Sequence, residues 1–372
     1  MSAAGIIFSN LNTNTLSELT ADRTVAAIPF ACRYRLVDFC ISNMVNAGIT
    51  NVNIVSNYNY RSLAEHIGSG KDWDLARRKG GINFISPFQT SHSPSAKLYS
   101  FHMESLKNMK EYINEIEDEL VVLADTDHVL NIDLSAVIDF HETSGASVTF
   151  VTTPIASDFE AKRPRIMVSA EGGKITNITT AMKYTEAAPE LCVNIFVMKT
   201  AYLRKIIQHA EEQNQSSLTE LFIRNFKHAG YRAYSYNGYV ASISSFLDYY
   251  RSSIEMATNE IARDSLLKSA PVYTRVHNSS PTVYRSESTV ENSLIADDCI
   301  IEGTVINSVL SRNVHVAKGA VVKNSVLFTG TYVGKNAKLN CVVSDKDVHI
   351  TDGVELSGNA NLPIYIEKLR HV

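Results

Sequence analysis

The chain has little excess of either charge and no long apolar run. Its 35 Lys and Arg residues face 39 Asp and Glu residues, a formal charge of -4 over 372 residues, which argues against a broad basic surface for nucleic acid. No stretch approaches the ~20 apolar residues of a membrane-spanning helix, and no basic segment precedes an apolar one at the N-terminus. We therefore expect a soluble, cytoplasmic protein that binds neither nucleic acid nor membrane.

Metal-site patterns are also missing. The five cysteines, at positions 32, 40, 192, 299 and 341, are scattered and odd in number, and none forms a CxxC pair. This usage is typical of a reducing compartment and argues against structural zinc. The 11 histidines show no ligand spacing, and His128, next to Asp127, is interpreted as a packed loop residue rather than a base.

Glycine is absent from residues 9–23 (SNLNTNTLSELTADR), which follow a short apolar run and precede the segment 28–39 (IPFACRYRLVDF). A turn that wraps a triphosphate needs glycine, because the backbone must approach the phosphates closely and expose its N–H groups. Asn10, Leu11 and Thr13 carry side chains that would occupy that space. The segment therefore has the frame of a nucleotide loop without the residues that bind the nucleotide.

The patterns along the chain predict two domains. Strand-like apolar runs alternate with helical patterns over 1–245, which favours an α/β domain with a Rossmann-like, mostly parallel sheet. A helical and extended linker, with a helix at 246–267, is expected over 246–284. Strands of the first domain are predicted at 5–8, 51–56, 119–124, 147–152 and 192–198. Its helices are predicted at 37–47, 63–67, 104–116, 134–143, 203–213 and 218–226, with a hairpin at 166–178.

Residues 285–372 show a different period. Aliphatic or aromatic residues recur six positions apart, as at Val316, Val322 and Phe328, with small or turn-forming residues between them. This period matches one face of a triangular parallel β-helix, in which the large residue points inward and small residues turn the corner. The alternative is a valine-rich antiparallel sheet with turns.

Several segments together resemble the glucose-1-phosphate adenylyltransferase (ADP-glucose pyrophosphorylase) family over nearly the whole chain. They are YRLVDF at 34–39, ISNMVNAGI at 41–49, SLAEHIGSG at 62–70 and the terminal hexapeptides. The resemblance implies a nucleotidyltransferase domain joined to a left-handed β-helix, tetrameric assembly, and synthesis of ADP-glucose from ATP and glucose 1-phosphate for glycogen. In that family a sugar phosphate attacks the nucleotide α-phosphate, while a metal ion and cations neutralise the developing charge.

The resemblance also implies that the nucleotide and metal contacts are lost. The family's GGxGTRL becomes residues 10–16, which removes the glycines and places Thr15 at the arginine. Its RAKP becomes residues 23–26, so that Val25 replaces a phosphate-binding cation. Asp127 matches one metal-binding aspartate, but Ser242 stands at the other. A hydroxyl brings no charge, so a hard divalent cation loses much of its site and Asp127 is expected to serve as a turn or cap.

The sugar and effector positions are partly kept. Lys183 is in register with a lysine that holds the sugar phosphate, and Asn194 replaces a glycine near the sugar. Asn57 stands where the family has a glutamine near the nucleotide. Arg33 replaces a lysine used in regulation by sugar phosphates, so it is a candidate for binding an effector anion; the alternative is an ordinary ion pair with Asp38 or a neighbour.

These losses indicate a D-type, non-catalytic subunit, a kind found beside the catalytic one in some bacterial glycogen operons. We expect it to form a hetero-tetramer with the catalytic subunit, to be a homo-oligomer when alone, and to require no cofactor itself, Mg²⁺ being used by the catalytic partner. Three alternatives remain: a slow but genuine nucleotidyltransferase, a stand-alone binding protein that senses a sugar phosphate or nucleotide, and an acyltransferase. The last is disfavoured because no catalytic histidine is placed in the repeats.

Overall fold

A mixed β-sheet flanked by helices forms the first part of the molecule. The computed structural model describes residues 2–9, 15–56, 59–85, 102–155 and 157–372. Within them the sheet contains β1 (Ala3–Phe8), β4 (Asn51–Val55), β5 (Gly81–Ile85), β6 (Leu120–Asp125), β8 (Val148–Pro154), β9 (Glu160–Glu171), β10 (Lys174–Lys183), β11 (Glu190–Lys199) and β12 (Tyr231–Ser235). Two short ladders pair β2 (Pro29–Phe30) with β3 (Tyr34–Arg35), and β7 (His128–Val129) with β13 (Ala241–Ser242).

The strand order is β5-β4-β1-β6-β11-β8-β12-β10-β9. The first four strands are parallel, as expected, whereas β11 is antiparallel to both of its neighbours β6 and β8, and β10 is antiparallel to β12 and β9. The predicted α/β fold is confirmed, but beyond β6 its sheet is mixed rather than mostly parallel. The hairpin β9–β10 turns at Gly172 and Gly173, both with positive φ, and it begins six residues before the predicted start.

Helices cover both faces of this sheet. They are α1 (Ser17–Thr20), α2 (Leu36–Asn46), α3 (Arg61–Ile67), α4 (His102–Asn108), α5 (Lys110–Glu115), α6 (Leu134–Ser144), α7 (Thr200–Glu212) and α8 (Leu218–Asn225). Alternate residues of β1 enter different cores, Ile6 with Leu203 of α7 and Ile7 with Ile41 of α2. None of the helices in the described part of the chain is long and apolar enough to cross a membrane.

The C-terminal part is a parallel β-helix of three five-stranded sheets. The first contains β14 (Val283–Tyr284), β17 (Ile300–Ile301), β20 (His315–Val316), β23 (Tyr332–Val333) and β26 (His349–Ile350). The second contains β15 (Thr289–Glu291), β18 (Thr304–Ile306), β21 (Val321–Lys323), β24 (Lys338–Asn340) and β27 (Glu355–Ser357). The third contains β16 (Leu294–Ile295), β19 (Val309–Leu310), β22 (Val326–Leu327), β25 (Val342–Ser344) and β28 (Ile364–Ile366).

The six-residue period predicted this arrangement. Every ladder between its named strands is parallel, so the alternative of an antiparallel sheet is wrong. Ile301, Val316 and Val333 stack in register and are fully buried inside the coil, as the period requires.

A third core joins the two parts. The linker forms α9 (Phe246–Thr258) and α10 (Glu260–Leu267), two helices where the sequence predicted one, because Asn259 ends the first and caps the second through Ala262 N. Tyr249 Oη donates to Pro29 O at 2.8 Å and Tyr250 Oη donates to Asn324 O at 2.7 Å. The linker thus bonds to the loop before α2 on one side and to the β-helix on the other.

Candidate functional site

The carboxyl ends of β1 and β6 define the candidate site. Ligands of open α/β sheets bind outside this edge. Phe8, the last residue of β1, is in register with Asp125, the last residue of β6. Four predicted site residues lie outside the described residues: Asn10, Leu11, Thr13 and Asn57.

A buried ion cluster lies just beyond β6. Asp127 is 1% exposed, and its Oδ2 accepts hydrogen bonds from Arg163 and from Nη1 of Arg165, the latter at 3.1 Å. Its Oδ1 lies 2.9 Å from His128 Nδ1. Both carboxylate oxygens are therefore engaged by side chains of the same chain.

Arg165 also contacts Ser242. Its Nη2 donates to Ser242 Oγ at 2.8 Å, and β13 places Ser242 opposite His128 of β7. One guanidinium thus links the two positions that the family resemblance assigns to metal-binding carboxylates. We call Asp127, His128, Arg163, Arg165 and Ser242 the closed cluster.

A histidine and two arginines surround the carboxylate of Asp127. Burial would raise the pKa of Asp127, but the neighbouring His128, Arg165 and Arg163 outweigh it and hold that pKa well below the ordinary carboxyl value. Burial, followed by the charge of Arg165, lowers the pKa of His128, so its imidazole is neutral at neutral pH. The guanidinium groups therefore supply the positive charge that keeps Asp127 ionised.

The closed cluster does not fit a divalent cation. Mg²⁺ requires near-octahedral oxygen coordination and prefers carboxylates. Asp127 already serves as acceptor for two guanidinium groups, and Ser242 Oγ accepts from a third N–H group. In the described part of the chain no group of three or more His, Cys, Asp or Glu side chains is arranged to hold a metal ion.

Sequence reasoning missed Arg163 and Arg165. A signal was present in the segment KRPR at 162–165, because residues two apart on a strand share one face. The predicted hairpin began at 166, whereas β9 begins at Glu160 and carries both arginines toward Asp127. Asp127 was expected to be a turn or cap residue; it lies in the bend between β6 and β7, and its carboxylate is shared by two arginines.

The remaining predicted residues are dispersed. Lys183 ends β10, is exposed, and pairs with Glu160 at 3.5 Å. Asn194 lies in a bulge of β11 with φ 56°, the left-handed region that glycine favours and asparagine tolerates. Thr15 is half-buried just before α1. Val25 is buried in the core between the two parts of the molecule, where it packs with the linker and the β-helix.

A histidine missed by the sequence reasoning lies at the same sheet edge. His102, the first residue of α4, places Nε2 2.6 Å from Asp125 Oδ1, and its ring packs edge-on against Phe8 with centroids 4.8 Å apart. Oδ2 of Asp125 is buried and has no hydrogen-bond partner among the described residues. At this edge, therefore, one oxygen of the Asp125 carboxylate accepts no hydrogen bond from any described residue.

A buried ion pair ties the segment after the glycine-free loop to the β-helix. Arg23 Nη2 lies 2.5 Å from Asp345 Oδ1, and both side chains are 4% exposed. Tyr365 Oη donates to Asp345 Oδ2 at 2.6 Å. Burial would raise the pKa of Asp345, but the hydrogen bond and charge of Arg23 bring it below the ordinary value.

A second group of cations lines a cleft of about 280 Å³ between the loop 29–35 and the β-helix. We call its basic side chains the open cluster: Arg33, Arg35, His66, His277, Arg312 and Lys346. Arg33 lies 3.3 Å from Asp297 of the β-helix, with both side chains over two-fifths exposed, so its ion pair is with Asp297 and not with Asp38. Arg35 donates to Ser62 O at 2.6 Å.

Positive charges crowd one another in the open cluster. Burial, then the charges of Arg35 and Arg23, lower the pKa of Lys346 to about 8. Burial and Arg312 likewise lower the pKa of His277. Asp297 faces both Arg33 and Arg312, and Asp298 also lines the cleft. Three arginines and Lys346 outnumber these two carboxylates, so the cleft keeps an excess of positive charge.

The fold is that of a nucleotidyltransferase-type domain followed by a hexapeptide β-helix. The model of the nucleotidyl transferase family matches residues 5–218, and that of the GlmU-like, C-terminal hexapeptide matches 277–362. The chain is 34% identical to glycogen biosynthesis protein GlgD of Bacillus subtilis (strain 168), over 98% of this chain and 95% of that protein. It is 27% and 26% identical to glucose-1-phosphate adenylyltransferases of Bacillus cereus (strain ATCC 10987 / NRS 248) and Bacillus mycoides (strain KBAB4), each over 93% of this chain and 92% of the relative.

The chain therefore belongs to the glycogen-biosynthesis nucleotidyltransferase family that includes GlgD and the glucose-1-phosphate adenylyltransferases. This confirms the family resemblance predicted from YRLVDF, ISNMVNAGI and the hexapeptides. Mg²⁺ use is suggested for catalytic members of the family.

Proposed function

We propose that this chain is a non-catalytic subunit that assembles with a catalytic glucose-1-phosphate adenylyltransferase and raises its activity in bacterial glycogen synthesis. The catalytic partner would convert ATP and glucose 1-phosphate to ADP-glucose and diphosphate with Mg²⁺. The observation that carries the proposal is the contact of Arg165 with both Asp127 and Ser242. A reaction that needs a metal ion to neutralise phosphate charge loses that group at this position. The similarity to GlgD supports the same interpretation.

The proposed assembly is a hetero-tetramer, and the proposed mechanism is stabilisation of the active conformation of the partner. Such coupling between subunits is typically worth about 1–3 kcal/mol, or roughly 5- to 150-fold in an equilibrium. The effect is on a conformational equilibrium, so this chain needs no cofactor of its own to produce it.

The proposal is tested by co-expressing the chain with the catalytic subunit from the same organism. We expect the two to co-purify, with a mass by light scattering that fits four chains. ADP-glucose synthesis by the mixture should exceed that of the catalytic subunit alone, while this chain alone should give no product above background. Turnover by the isolated chain at a rate near that of the catalytic subunit would overturn the proposal.

Slow nucleotidyl transfer is the second candidate, because Asp125 retains a buried oxygen without a hydrogen-bond partner among the described residues. If the isolated chain forms traces of ADP-glucose, addition of a chelator and substitution Asp125→Asn should abolish the product in a genuine enzyme. Product that persists in both would come from a contaminating catalytic subunit. The stimulation of a partner should be unaffected by Asp125→Asn.

We further propose that the open cluster binds the anionic effector, with Arg33 as one contact. Its excess of positive charge and the crowding at Lys346 both favour a phosphate group there. Inorganic phosphate and glucose 1-phosphate should raise the melting temperature of the wild type, and Arg33→Gln should weaken this shift. Arg224→Gln, which removes an exposed arginine of α8 that does not line the cleft, is the matched control. Equal shifts in both variants would argue against the site. A stand-alone sensor would show the shift without any effect on a partner enzyme.

A further inference from the structure

We propose that the guanidinium of Arg165, supported by Arg163, takes the place of a divalent cation in this chain and closes the site to metal ions. The closed cluster would exclude metal ions whether or not the chain stimulates a partner enzyme.

The contacts of Arg165 are those that a bridging cation would make. It touches the surviving carboxylate, Asp127, with one terminal nitrogen and the substituted position, Ser242, with the other. Its side chain is 2% exposed, as is that of Asp127. A guanidinium offers only N–H donors in a fixed fork, so it can satisfy two acceptors on opposite sides as a bound ion does.

Arg163 contacts Asp127 from the side that faces solvent. It contacts the same Oδ2 of Asp127, and its side chain is 17% exposed. Asp127 carries one negative charge and the two arginines carry two positive charges, while His128 is neutral. A metal ion approaching from solvent would meet Arg163 first and an occupied carboxylate behind it.

A metal position that is occupied by an arginine differs from one that has only lost a single metal ligand. If Ser242 were the sole defect, restoring a carboxylate there would rebuild the site. With Arg165 already seated between the two positions, a new carboxylate at 242 would form an ion pair with Arg165 instead. Restoring metal binding therefore requires removal of Arg165 as well as Ser242→Asp, and removal of Arg163, which contacts the same Oδ2 of Asp127, should strengthen it.

Mn²⁺ binding to the full chain, measured by electron paramagnetic resonance and by calorimetry, tests this inference without reference to activity. The wild type and Ser242→Asp should both lack a saturable Mn²⁺ site, and their melting temperatures should not differ between Mg²⁺ and a chelator. The triple variant Arg163→Gln/Arg165→Gln/Ser242→Asp should gain one site per chain, at least about tenfold tighter than any binding to the wild type.

The matched control carries the same change in charge on exposed surfaces: Arg251→Gln/Arg285→Gln/Ser357→Asp. It should gain no site. If the triple variant does not fold, Arg165→Gln/Ser242→Asp replaces it; because Arg163 still contacts Asp127, its site should be weaker than that of the triple variant but tighter than any binding to Ser242→Asp alone.

Two results would overturn the inference. One is a saturable Mn²⁺ site in the wild type that Asp127→Asn removes. The other is Mn²⁺ binding by Ser242→Asp alone that is as tight as in the variants without the arginines. A wild-type site would remove the structural argument for a non-catalytic chain, but neither result would change the stimulation and turnover measured with a partner, so the two tests are distinguishable.

Discussion

The molecule contains two groups of arginines that differ in how deeply their carboxylate partner is buried. In the closed cluster, Arg163 and Arg165 share Asp127, which is 1% exposed and engaged through both oxygens. In the open cluster, Arg33 and Arg312 face Asp297, whose side chain is 41% exposed, Asp298 also lines the cleft, and His66 bonds to the buried carboxylate of Asp38.

The comparison shows that burial of the carboxylate decides what an arginine does. A carboxylate held inside the protein at short distance gives a strong charge-assisted bond and commits the guanidinium to structure. A carboxylate at the surface is screened by water, binds weakly, and leaves the arginine available to a stronger anion. The same residue type therefore closes one site and keeps another open.

The largest expected effect comes from Asp127→Ala. It leaves the guanidinium of Arg165 buried without a counter-charge, which should lower the free energy of unfolding by about 3–5 kcal/mol. Urea denaturation measures the loss. Asp297→Ala is the control, because its partner Arg33 is exposed and the cost should be at most about 1 kcal/mol. Equal losses in the two variants would remove the distinction between the clusters.

The ion pair between Arg23 and Asp345 should rank second. Asp345→Asn keeps the shape and one acceptor oxygen but weakens a buried, charge-assisted bond, for which we expect a loss of about 1.5–3 kcal/mol. Since the pair joins the two parts of the molecule, calorimetry should also show their unfolding transitions moving apart. Glu367→Gln, in an exposed pair with Arg370, should change neither quantity. A single unshifted transition in Asp345→Asn would contradict this.

Local sequence patterns predicted the fold better than the site. The six-residue period located the β-helix because each repeat contacts only its neighbours along the chain. Ser217 was predicted to cap a helix, and Glu220 N does donate to Ser217 Oγ at 3.2 Å. The predicted helix over 104–116 is interrupted at Met109, between α4 and α5, and its apolar pattern contains no sign of the break.

The site depends on contacts between distant parts of the chain. The position of Val25 in the sequence suggested a lost phosphate contact, but Val25 packs in a core formed with the linker and β-helix. Arg23 and Asp345 are 322 positions apart, and Arg165 and Ser242 are 77 apart. The segment KRPR shows that Arg163 and Arg165 share a strand face, but no local pattern relates them to Asp127 or Ser242, so their contacts with these residues could not be predicted from the sequence.

Each cluster contains a histidine whose pKa is lowered. His128 and His277 both have a lowered pKa, chiefly from burial and then from Arg165 and Arg312, respectively. An unfolded histidine, with a pKa of about 6.5, takes up its proton at higher pH than these native ones, so each makes stability fall as pH drops below about 6.5.

Phosphate should change the pKa of one of these two histidines and not the other. An anion in the open cluster should raise the pKa of His277 toward the ordinary value, because it stabilises the imidazolium, and leave that of His128 unchanged. Proton NMR titration of the two rings with and without phosphate measures this difference, and His128→Gln and His277→Gln assign the signals. A phosphate-induced shift at His128, or its absence at His277, would contradict the assignment of one cluster as closed and the other as open.

The smallest effect on stability is expected from Lys346→Gln. Burial and then Arg35 and Arg23 lower the pKa of Lys346 to about 8, so its ammonium destabilises the native state at all pH values below its ordinary pKa. Removing it should leave the free energy of unfolding within about 0.5 kcal/mol of the wild type or slightly above it. Urea denaturation at neutral pH, without phosphate, measures this change. A loss as large as that of Asp345→Asn would mean that Lys346 is held by an internal acceptor, and the open cluster would then be closed like its counterpart around Asp127.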